Sequence, residues 1–287
     1  MGTIELSIII VNWNTRDFLR NCLQSIRSNP PACSFETIVV DNASGDGSAE
    51  MTSDEFPEVR LIAEAENLKY AEGNNVGMRA ASGVFLLLLN PDTEVRPGTL
   101  DALLDVARAN PACAAISCRL IGHDGKVQSS CRSFPDPRGV LFEYLRLSRL
   151  FPKSRLFGSY RMTYFDYEHE AEVDQPMASC LLIPRKAMDD VGVFDPEFPI
   201  FFNEVDWCFR AKEKGWKILF TPSAEILHLG GASTRQVRPE MVRESHRSLR
   251  RFYEKHYKSR ISKPIYYLIA AAIFINSYLA SGRRPRV

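Results

Sequence analysis

The chain has 287 residues, enough for one large domain or two small ones, and 45% of them are apolar and 25% are charged. These fractions are close to the averages of folded globular proteins and exclude a disordered tail, a collagen-like repeat and a polytopic membrane protein. The net charge of +1 does not indicate any particular class of binding partner, and we do not expect the protein to bind nucleic acid.

The first 90 residues alternate between short apolar runs and helical patterns. The spacing of Leu19, Leu23 and Ile26 predicts a helix that ends before Pro30-Pro31, and a second helix is predicted over Ala71–Ala81. The predicted strands are Leu6–Val11, Thr37–Val40, Val59–Ile62 and Val84–Leu89. Because these strands are apolar on both faces and alternate with helices, we expect an α/β fold with a mainly parallel sheet flanked by helices.

The next part of the chain is less regular. Residues 119–175 hold several prolines and aromatic residues, which predict long functional loops. Met177–Pro184, Trp216–Phe220 and Glu225–Leu227 predict further strands.

A basic segment closes the chain. Residues 243–287 hold 11 Lys/Arg against two Asp/Glu, a net charge of +9, whereas the remaining residues carry a net charge of −8. A basic helix is predicted over residues 240–262, and the 19 uncharged residues Pro264–Gly282 follow. A helix of that length would measure about 28 Å, just short of the roughly 30 Å hydrocarbon core of a bilayer. We predict that residues 241–287 form a helical appendage lying in an anionic membrane surface, with packing on the body and a true span as alternatives.

The seven cysteines are odd in number and form no Cys-x-x-Cys pair. This pattern predicts reduced, mostly buried thiols of a cytosolic protein rather than a zinc site. The N-terminus carries Glu5 and lacks a basic region, and the run Leu6–Val11 is too short for a signal peptide. We therefore expect a cytoplasmic protein.

Polar residues follow three of the predicted strands, at the edge where open α/β sheets bind ligands. They are Asn12-Trp13-Asn14, Asp41-Asn42 and Asn90-Pro91-Asp92. A carboxylate such as Asp41 can accept a hydrogen bond from the N–H of a uracil or thymine ring, and Asp92 can hold a hard divalent cation. Each motif also fits an ordinary turn, and the residues after Asp41 fit a helix N-cap.

The motif Gly73-Asn74-Asn75-Val76-Gly77 lies in a predicted helix, where each glycine costs about 1 kcal/mol relative to alanine. Close approach of a ligand or of another backbone would explain both glycines. In the first case Asn74 and Asn75 could bind a base or ribose. Tight packing of the helix on the sheet is the alternative.

Two carboxylates, Glu204 and Asp206, follow the aromatic run Phe194–Phe202. Aromatic surroundings would raise the pKa of a carboxylate and suit it to general-base catalysis. The alternative is a helix start with acids near the positive end of the dipole. His228 precedes Gly230-Gly231 and is a candidate metal or phosphate contact, whereas the other histidines lack such a setting.

In this order the motifs resemble glycosyltransferase family 2, the inverting enzymes with the GT-A fold, and in particular its bacterial rhamnosyltransferase-like branch. The motifs are SIIIVNWN, VVDNASGDGS, AEGNNVG, LLNPDT, ASCLLIPR, FNEVDWCFRAKEKGW and HLGGAS, and they cover roughly residues 4–235. The resemblance implies a GT-A (Rossmann-like) catalytic domain over residues 1–240 and a basic, apolar helical appendage over residues 241–287.

The resemblance also implies a role for each motif. The residues assigned to the nucleotide are Val11, Asn14, Asp41, Gly73, Asn74, Asn75 and Asn90. Asp92 and His228 would hold Mg²⁺ or Mn²⁺ beside the diphosphate, and Glu204 would be the catalytic base, with Asp206 as the next candidate. The sequence departs from the family pattern twice, because Asn90 replaces the usual first Asp of the metal motif and Asn203 replaces the usual acid before Glu204.

The implied reaction moves a sugar, rhamnose among the candidates, from a UDP- or dTDP-sugar to an acceptor hydroxyl with inversion. The acceptor would be a lipid-linked or cell-surface glycan precursor, met at the inner face of the plasma membrane. A catalytically inactive protein of this fold, acting as a scaffold at the membrane, is the alternative. A nicotinamide dehydrogenase is excluded, because the turn Asn12-Trp13-Asn14-Thr15 lacks the glycines that such enzymes place after the first strand.

Overall fold

The computed structural model describes residues 3–230 and 238–281. Strands and helices alternate through its first half. The strands are β1 (Leu6–Asn12), β2 (Phe35–Asp41), β3 (Arg60–Ala63), β4 (Phe85–Leu89), β5 (Thr93–Val95), β6 (Cys113–Ile121), β7 (Cys131–Arg132), β8 (Ala171–Glu172), β9 (Gln175–Pro176), β10 (Cys180–Pro184) and β11 (Lys217–His228). The helices are α1 (Arg16–Ser28), α2 (Ser48–Glu55), α3 (Lys69–Ala80), α4 (Thr99–Ala109), α5 (Pro137–Tyr144), α6 (Leu147–Leu150), α7 (Arg185–Val191), α8 (Asn203–Glu213), α9 (Arg238–His256) and α10 (Lys263–Ser281).

Nine of the described strands form one sheet in the order β3-β2-β1-β4-β10-β6-β11-β5, with β8 paired to β11. The block from β3 to β4 is parallel, and so is the pair of β6 and β11. Strand β10 runs antiparallel between these two blocks, and β5 and β8 run antiparallel to β11. The α/β class is confirmed, but the sheet is mixed and the predicted parallel arrangement holds only within each block.

Apolar side chains of the central strands pack on both faces of the sheet. In β1, Ile8 and Ile10 join the core on one face, while Ile9 and Val11 join the core on the other. Helices α1 and α4 cover the first face, and α3, α7 and α8 cover the second. A strand buried on both sides needs an unbroken apolar run, which is why β1, β2 and β4 were visible in the sequence.

Several features differ from the sequence prediction. The central strand β6 and helix α4 were not predicted, and the predicted strand Met177–Pro184 begins only at Cys180. The two predicted strands Trp216–Phe220 and Glu225–Leu227 are halves of β11, joined across a shift of register between Thr221 and Glu225. The residue after Thr221 is a proline, which has no N–H to donate to the ladder and so fits a bulge.

The thiols agree with the prediction, because all seven cysteines are free, six of them buried and Cys33 half-buried. The two C-terminal helices pack on each other and on α5. Tyr253 of α9 shares a small apolar core with Tyr266, Ile269 and Ile273 of α10 and with Val140 of α5. None of the helices in the described ranges combines the length and apolarity that crossing a membrane requires. The last residue of the predicted apolar run, Gly282, lies outside the described residues.

Candidate active site

The ends of β1 and β2 are tied together by a buried hydrogen-bond network. The Asn12 amide donates to Asp41 Oδ1 over 2.9 Å and to Ser44 Oγ over 3.2 Å. The Ser44 backbone N–H donates to Asp41 Oδ2 over 2.9 Å, and Thr15 donates to Asn12 Oδ1 over 2.6 Å. Asp41 is thereby held in one orientation at the end of its strand, as the predicted base-binding role requires.

Four non-glycine residues with left-handed backbone adjoin the predicted site. They are Asn14 (φ 51°), Ala43 (φ 55°), Lys69 (φ 68°) and Phe202 (φ 69°). Such conformations are uncommon and cluster at functional sites, where the surrounding fold maintains them. At Asn14 the strain is offset, because its Oδ1 accepts from the Gly45 N–H over 2.8 Å and its own N–H donates to Ser44.

The glycines of α3 allow this helix to pack closely on the sheet. A Cβ at Gly77 would lie 2.3 Å from Ile9 Cγ2, and a Cβ at Gly73 would lie 2.8 Å from Val11 Cγ1. Cβ atoms in proteins do not make non-bonded contacts as short as these. The packing alternative therefore accounts for both glycines, and the assignment of Gly73 to the nucleotide does not need to be invoked to explain them.

Both asparagines of α3 form hydrogen bonds with other residues of the protein. The Asn75 amide donates to the Phe194 carbonyl over 2.9 Å and to Glu72, and its Oδ1 accepts from the Phe194 N–H over 2.9 Å. Asn74 donates to the Tyr70 carbonyl over 2.8 Å. Both side chains are buried. Asn75 thus fixes the segment before α8, and its contact with nucleotide stays a prediction.

Asn90, at the end of β4, contacts two other elements. Its Oδ1 lies 3.1 Å from the Tyr70 hydroxyl, and its amide donates to Ser179 Oγ over 3.2 Å. Burial raises the pKa of Tyr70, and the charges of Glu204 and Asp92 raise it further. The charges of both carboxylates thus act on the same phenol, which itself contacts Asn90.

Asp92 and His228 face each other across the pairing of β5 with β11. His228 Nε2 is 3.6 Å from Asp92 Oδ1, and both side chains are buried. The His228 Nδ1–H donates to Gln128 Oε1 over 2.7 Å, and the Gln128 amide donates to the His228 carbonyl over 2.9 Å. Burial lowers the pKa of His228, although the Asp92 charge offsets part of that effect. With Nδ1 protonated, Nε2 presents its lone pair toward Asp92.

This pair fits a divalent cation that also binds the substrate. No group of three or more His, Cys, Asp or Glu side chains that could hold a metal occurs within residues 3–230 and 238–281. Mg²⁺ sites, however, commonly use one or two protein ligands together with substrate phosphates. A carboxylate and a neutral imidazole nitrogen 3.6 Å apart are suited to that arrangement. Residues 231–233 of the histidine motif lie outside the described residues.

Glu204 stands in the first turn of α8, two residues after the left-handed Phe202. Its backbone N–H donates to Asn203 Oδ1 over 2.9 Å, and the Asn203 amide donates to the Ile200 carbonyl over 2.9 Å. Burial raises the pKa of Glu204, and its own backbone N–H and the charge of Arg132 offset only part of this rise. Asn203 therefore joins the first residues of α8 to the Ile200 carbonyl before the helix.

Asp206 has different surroundings. Its side chain is completely buried, with Oδ1 2.7 Å from both His256 Nε2 and Lys255 Nζ and Oδ2 2.8 Å from Arg210 Nε. Burial alone would raise the pKa of Asp206, but the hydrogen bonds from His256 and Lys255 and the charge of Arg210 outweigh it and lower the pKa. A carboxylate of lowered pKa is a weak proton acceptor. These contacts join α8 to α9.

Sequence reasoning missed several supporting residues. Tyr70, Gln128 and Arg132 gave no signal, because the residues on which they act, by hydrogen bond or by charge, are distant in sequence. His256 was assigned no function, yet it contacts the buried Asp206. His256 lies four residues after Phe252, on the buried face of a basic helix, and this spacing could have indicated that the histidine is buried. The spacing does not show that its partner is Asp206.

Comparison with known proteins places this chain in a family. The family model described as glycosyl transferase family 2 matches residues 7–170, more than half of the chain. The chain is 27% identical over 299 aligned residues to N-acetylglucosaminyl-diphospho-decaprenol L-rhamnosyltransferase of Mycobacterium tuberculosis, with 99% of this chain and 96% of that protein covered.

Two solved structures show the same fold. One is the mannosyltransferase PcManGT from Pyrobaculum calidifontis in complex with GDP-Man and Mn²⁺, at a TM-score of 0.61 and 16% identity, covering 98% of this chain and 73% of that one. The other is GalNAc-T7 with UDP, GalNAc and Mn²⁺, at a TM-score of 0.59 and 14% identity, covering 96% of this chain and 55% of that one. The fold is mixed α/β and GT-A-like. Together with the family match, these findings show that the chain belongs to glycosyl transferase family 2 and resembles its rhamnosyltransferases.

Proposed function

We propose that this glycosyltransferase transfers a sugar, rhamnose among the candidates, from a UDP- or dTDP-sugar to an acceptor hydroxyl with inversion. The observation that carries the proposal is the position of Asp41 and Asp92 at the carboxyl ends of the parallel strands β2 and β4, with His228 Nε2 3.6 Å from Asp92 Oδ1. A nucleotide bound at Asp41 and a cation bound by Asp92 and His228 would hold the leaving diphosphate at this edge of the sheet, with Glu204 as the candidate base.

In this mechanism Glu204 takes the proton of the acceptor hydroxyl as its oxygen attacks C1 of the sugar. The bond from C1 to the diphosphate breaks on the opposite side, and the nucleoside diphosphate leaves with the bonding electrons. A single displacement inverts C1 and needs no covalent intermediate. The raised pKa of Glu204 favours this role, since a stronger base accepts the proton more readily.

The donor nucleotide would bind at the ends of β1 and β2. Asp41 would accept the ring N–H of the pyrimidine, with Val11 and Asn14 on either side. The bonds from Asn12 and Ser44 leave the Asp41 oxygens in place but do not use all of their acceptor capacity. Asn74 and Asn90 remain candidate contacts on the nucleotide side.

Asp92 and His228 would hold Mg²⁺ or Mn²⁺. When bound, such an ion neutralises the charge that develops on the leaving diphosphate. Asn90 would take no part in binding the ion, because its amide contacts Tyr70 and Ser179. We assign Asp206 to the attachment of α9 and not to catalysis, because its lowered pKa makes it a weak proton acceptor.

The acceptor would be a lipid-linked glycan precursor, and the enzyme would work at the cytoplasmic face of the plasma membrane. The name of the Mycobacterium tuberculosis relative describes a diphospho-decaprenol acceptor. On α10 of this chain Ile265, Tyr267 and Leu268 are exposed, while Tyr266 and Ile269 are buried. A helix with one packed and one exposed apolar face, in a segment of net charge +9, suits peripheral contact with anionic lipid.

The test is a donor screen by thermal shift followed by a transfer assay. A donor present at 100 times its Kd stabilises the fold by about 2.7 kcal/mol. UDP- and dTDP-sugars should stabilise the protein and GDP-sugars should not, and Asp41→Ala should lose the response. A protein that binds donor but transfers no sugar to lipid-linked or soluble acceptors would instead be the inactive scaffold.

A further inference from the structure

Exposed large apolar side chains are concentrated in two elements. Among the described residues, eight of the eleven most exposed ones lie in residues 137–157 or in α10. We call residues 137–157, which contain α5 and α6, the α5–α6 segment. Its exposed members are Leu141 (48%), Leu145 (57%), Leu150 (69%), Phe151 (52%) and Leu156 (58%). Several exposed large apolar side chains in one segment indicate an interaction surface.

The α5–α6 segment is a folded element. Phe157 packs edge to face on Phe142, with ring centroids 5.2 Å apart, and also lies 5.3 Å from Phe151. Val140 of α5 is buried in the core that α9 and α10 share. The exposed side chains of α5 and α10 therefore belong to two helices that pack on each other, and they project from neighbouring elements.

The charge of this region favours one kind of partner. Residues 144–165 contain five Lys/Arg and no Asp/Glu, although the chain outside residues 243–287 carries a net charge of −8. Within the described part of the chain, Arg146, Arg149 and Lys153 form no ion pair. Leucine and phenylalanine side chains among unpaired cations are suited to an anionic bilayer, where apolar groups insert and cations meet lipid phosphates.

The α5–α6 segment is also connected to the helix that carries the candidate base. It follows β7 and Phe134, whose ring packs on Phe209 of α8 with centroids 4.9 Å apart. Helix α8 carries Glu204 in its first turn. Membrane contact through this segment would place the acceptor side of the active site toward the lipid surface.

We propose that the α5–α6 segment is a second membrane-docking surface, continuous with the exposed face of α10, and that its partner is an anionic bilayer. It extends the membrane contact of the proposed function and is independent of the donor chemistry. Side chains of Leu150 and Phe151 enter the apolar boundary of the leaflet, while Arg149 and Lys153 contact lipid phosphates.

The experiment is flotation of the full chain with vesicles of phosphatidylcholine containing 30% phosphatidylglycerol, compared with pure phosphatidylcholine. The double variant Leu150→Ser/Phe151→Ser should bind the anionic vesicles about tenfold more weakly than wild type. Lys153→Gln should bind about fivefold more weakly at low salt, since each cation near such a surface adds about 1 kcal/mol. Val84→Ser and Lys217→Gln are the matched controls, because both side chains are exposed on other parts of the molecule.

The outcomes separate this inference from the proposed function. If wild type floats and the double variant floats equally well, the α5–α6 segment does not contact lipid and the inference is wrong. If wild type does not float at all, the membrane contact fails as a whole, while the donor screen still tests the transferase. A wild type that is dimeric without lipid, beside a monomeric double variant, would show that a second copy covers this surface and would also overturn the inference.

Discussion

Glu204 is the residue on which the proposed chemistry depends. Glu204→Gln keeps the shape of the side chain and removes the proton acceptor. General-base catalysis contributes roughly 10²–10⁴-fold, so turnover should fall by that factor while the thermal shift with donor persists. Glu213→Gln, at the exposed end of the same helix, should leave turnover unchanged. Near-normal turnover of Glu204→Gln would remove Glu204 from the mechanism.

The pH dependence of turnover gives a second test of the same residue. Because burial raises the pKa of Glu204, the acid limb of the rate profile should have its midpoint above the usual glutamate pKa of about 4.3. A group whose pKa is raised in the folded state favours folding below its unfolded pKa and loses that contribution as the pH rises through the folded value. Glu204→Gln should therefore be at least as stable as wild type at pH 8 in urea unfolding. A clear loss of stability there would mean that the ionised carboxylate has a structural partner.

Gln128 should affect metal binding although it lies outside the proposed ligand pair. Gln128→Leu removes the acceptor of the His228 Nδ1–H, so the imidazole loses its fixed tautomer. Loss of such a supporting hydrogen bond typically weakens metal affinity 10–100-fold. Titration of Mn²⁺ in the presence of UDP should show this weakening, and wild-type activity should vanish in EDTA and return with Mg²⁺ or Mn²⁺. Full activity in EDTA would contradict the whole metal assignment.

Some of these residues were visible in the sequence and others were not, for a physical reason. Asp41 and Asp92 follow apolar strands, and the ends of neighbouring parallel strands meet at one sheet edge whatever the rest of the fold. Gln128 and Tyr70 act through partners 100 and 20 residues away, so only the folded chain shows their roles. The bonds of Asn75 to Phe194 were also not visible in the sequence, because an asparagine that bonds a remote backbone has the same local pattern as one that binds a ligand.

At the scale of elements, the buried contacts of Asp206 attach α9 to α8. Asp206→Ala leaves His256, Lys255 and Arg210 without their shared anion, and breaking such a buried pair costs about 3–5 kcal/mol. We expect about 3 kcal/mol, the lower end, because Lys255 and Arg210 remain partly solvated. Urea unfolding at pH 7 measures this loss. Glu213→Ala, which breaks an exposed ion pair with Arg260, should cost less than about 1 kcal/mol.

The same variant has a defined pH dependence. The pKa of Asp206 is lowered in the folded state, so its contribution is present above the unfolded pKa of about 3.9 and is lost as the pH falls through the folded value. The difference between wild type and Asp206→Ala should shrink in that acid range. A difference that stays constant there would show that packing, and not charge, accounts for the effect.

Elements were predicted from the sequence where burial on both faces made the pattern unambiguous. Strands β1, β2 and β4 needed no tertiary information, whereas β6 lies between β10 and β11 and its alanines and cysteines resemble no standard strand run. Because the register of β11 shifts between Thr221 and Glu225, the sequence predicted its two halves as separate strands. Strand β10 lies antiparallel between two parallel blocks. The order and direction of strands in a sheet cannot be predicted from the periodicity of apolar residues.

At the scale of the whole molecule, charge and exposed apolar surface coincide at the C-terminal helices. The structure shows that α10 packs through Tyr266, Ile269 and Ile273, so the packing alternative of the sequence analysis holds for that face. Its opposite face carries Ile265, Tyr267 and Leu268. Packing and membrane contact are therefore compatible, because they use different sides of the same helix.

This division predicts how α10 contributes to activity. The triple variant Ile265→Ser/Tyr267→Ser/Leu268→Ser should keep its unfolding free energy within about 0.5 kcal/mol, because surface changes rarely exceed that. It should float less with anionic vesicles and lose transfer to a bilayer-embedded polyprenyl acceptor by about tenfold or more, while transfer to a short, water-soluble acceptor stays unchanged. Raising the salt from 0.05 to 0.5 M should weaken flotation of wild type, since screening acts on the basic flanks. Equal losses on both acceptors would mean that α10 supports the catalytic domain and that its exposed face does not serve the membrane.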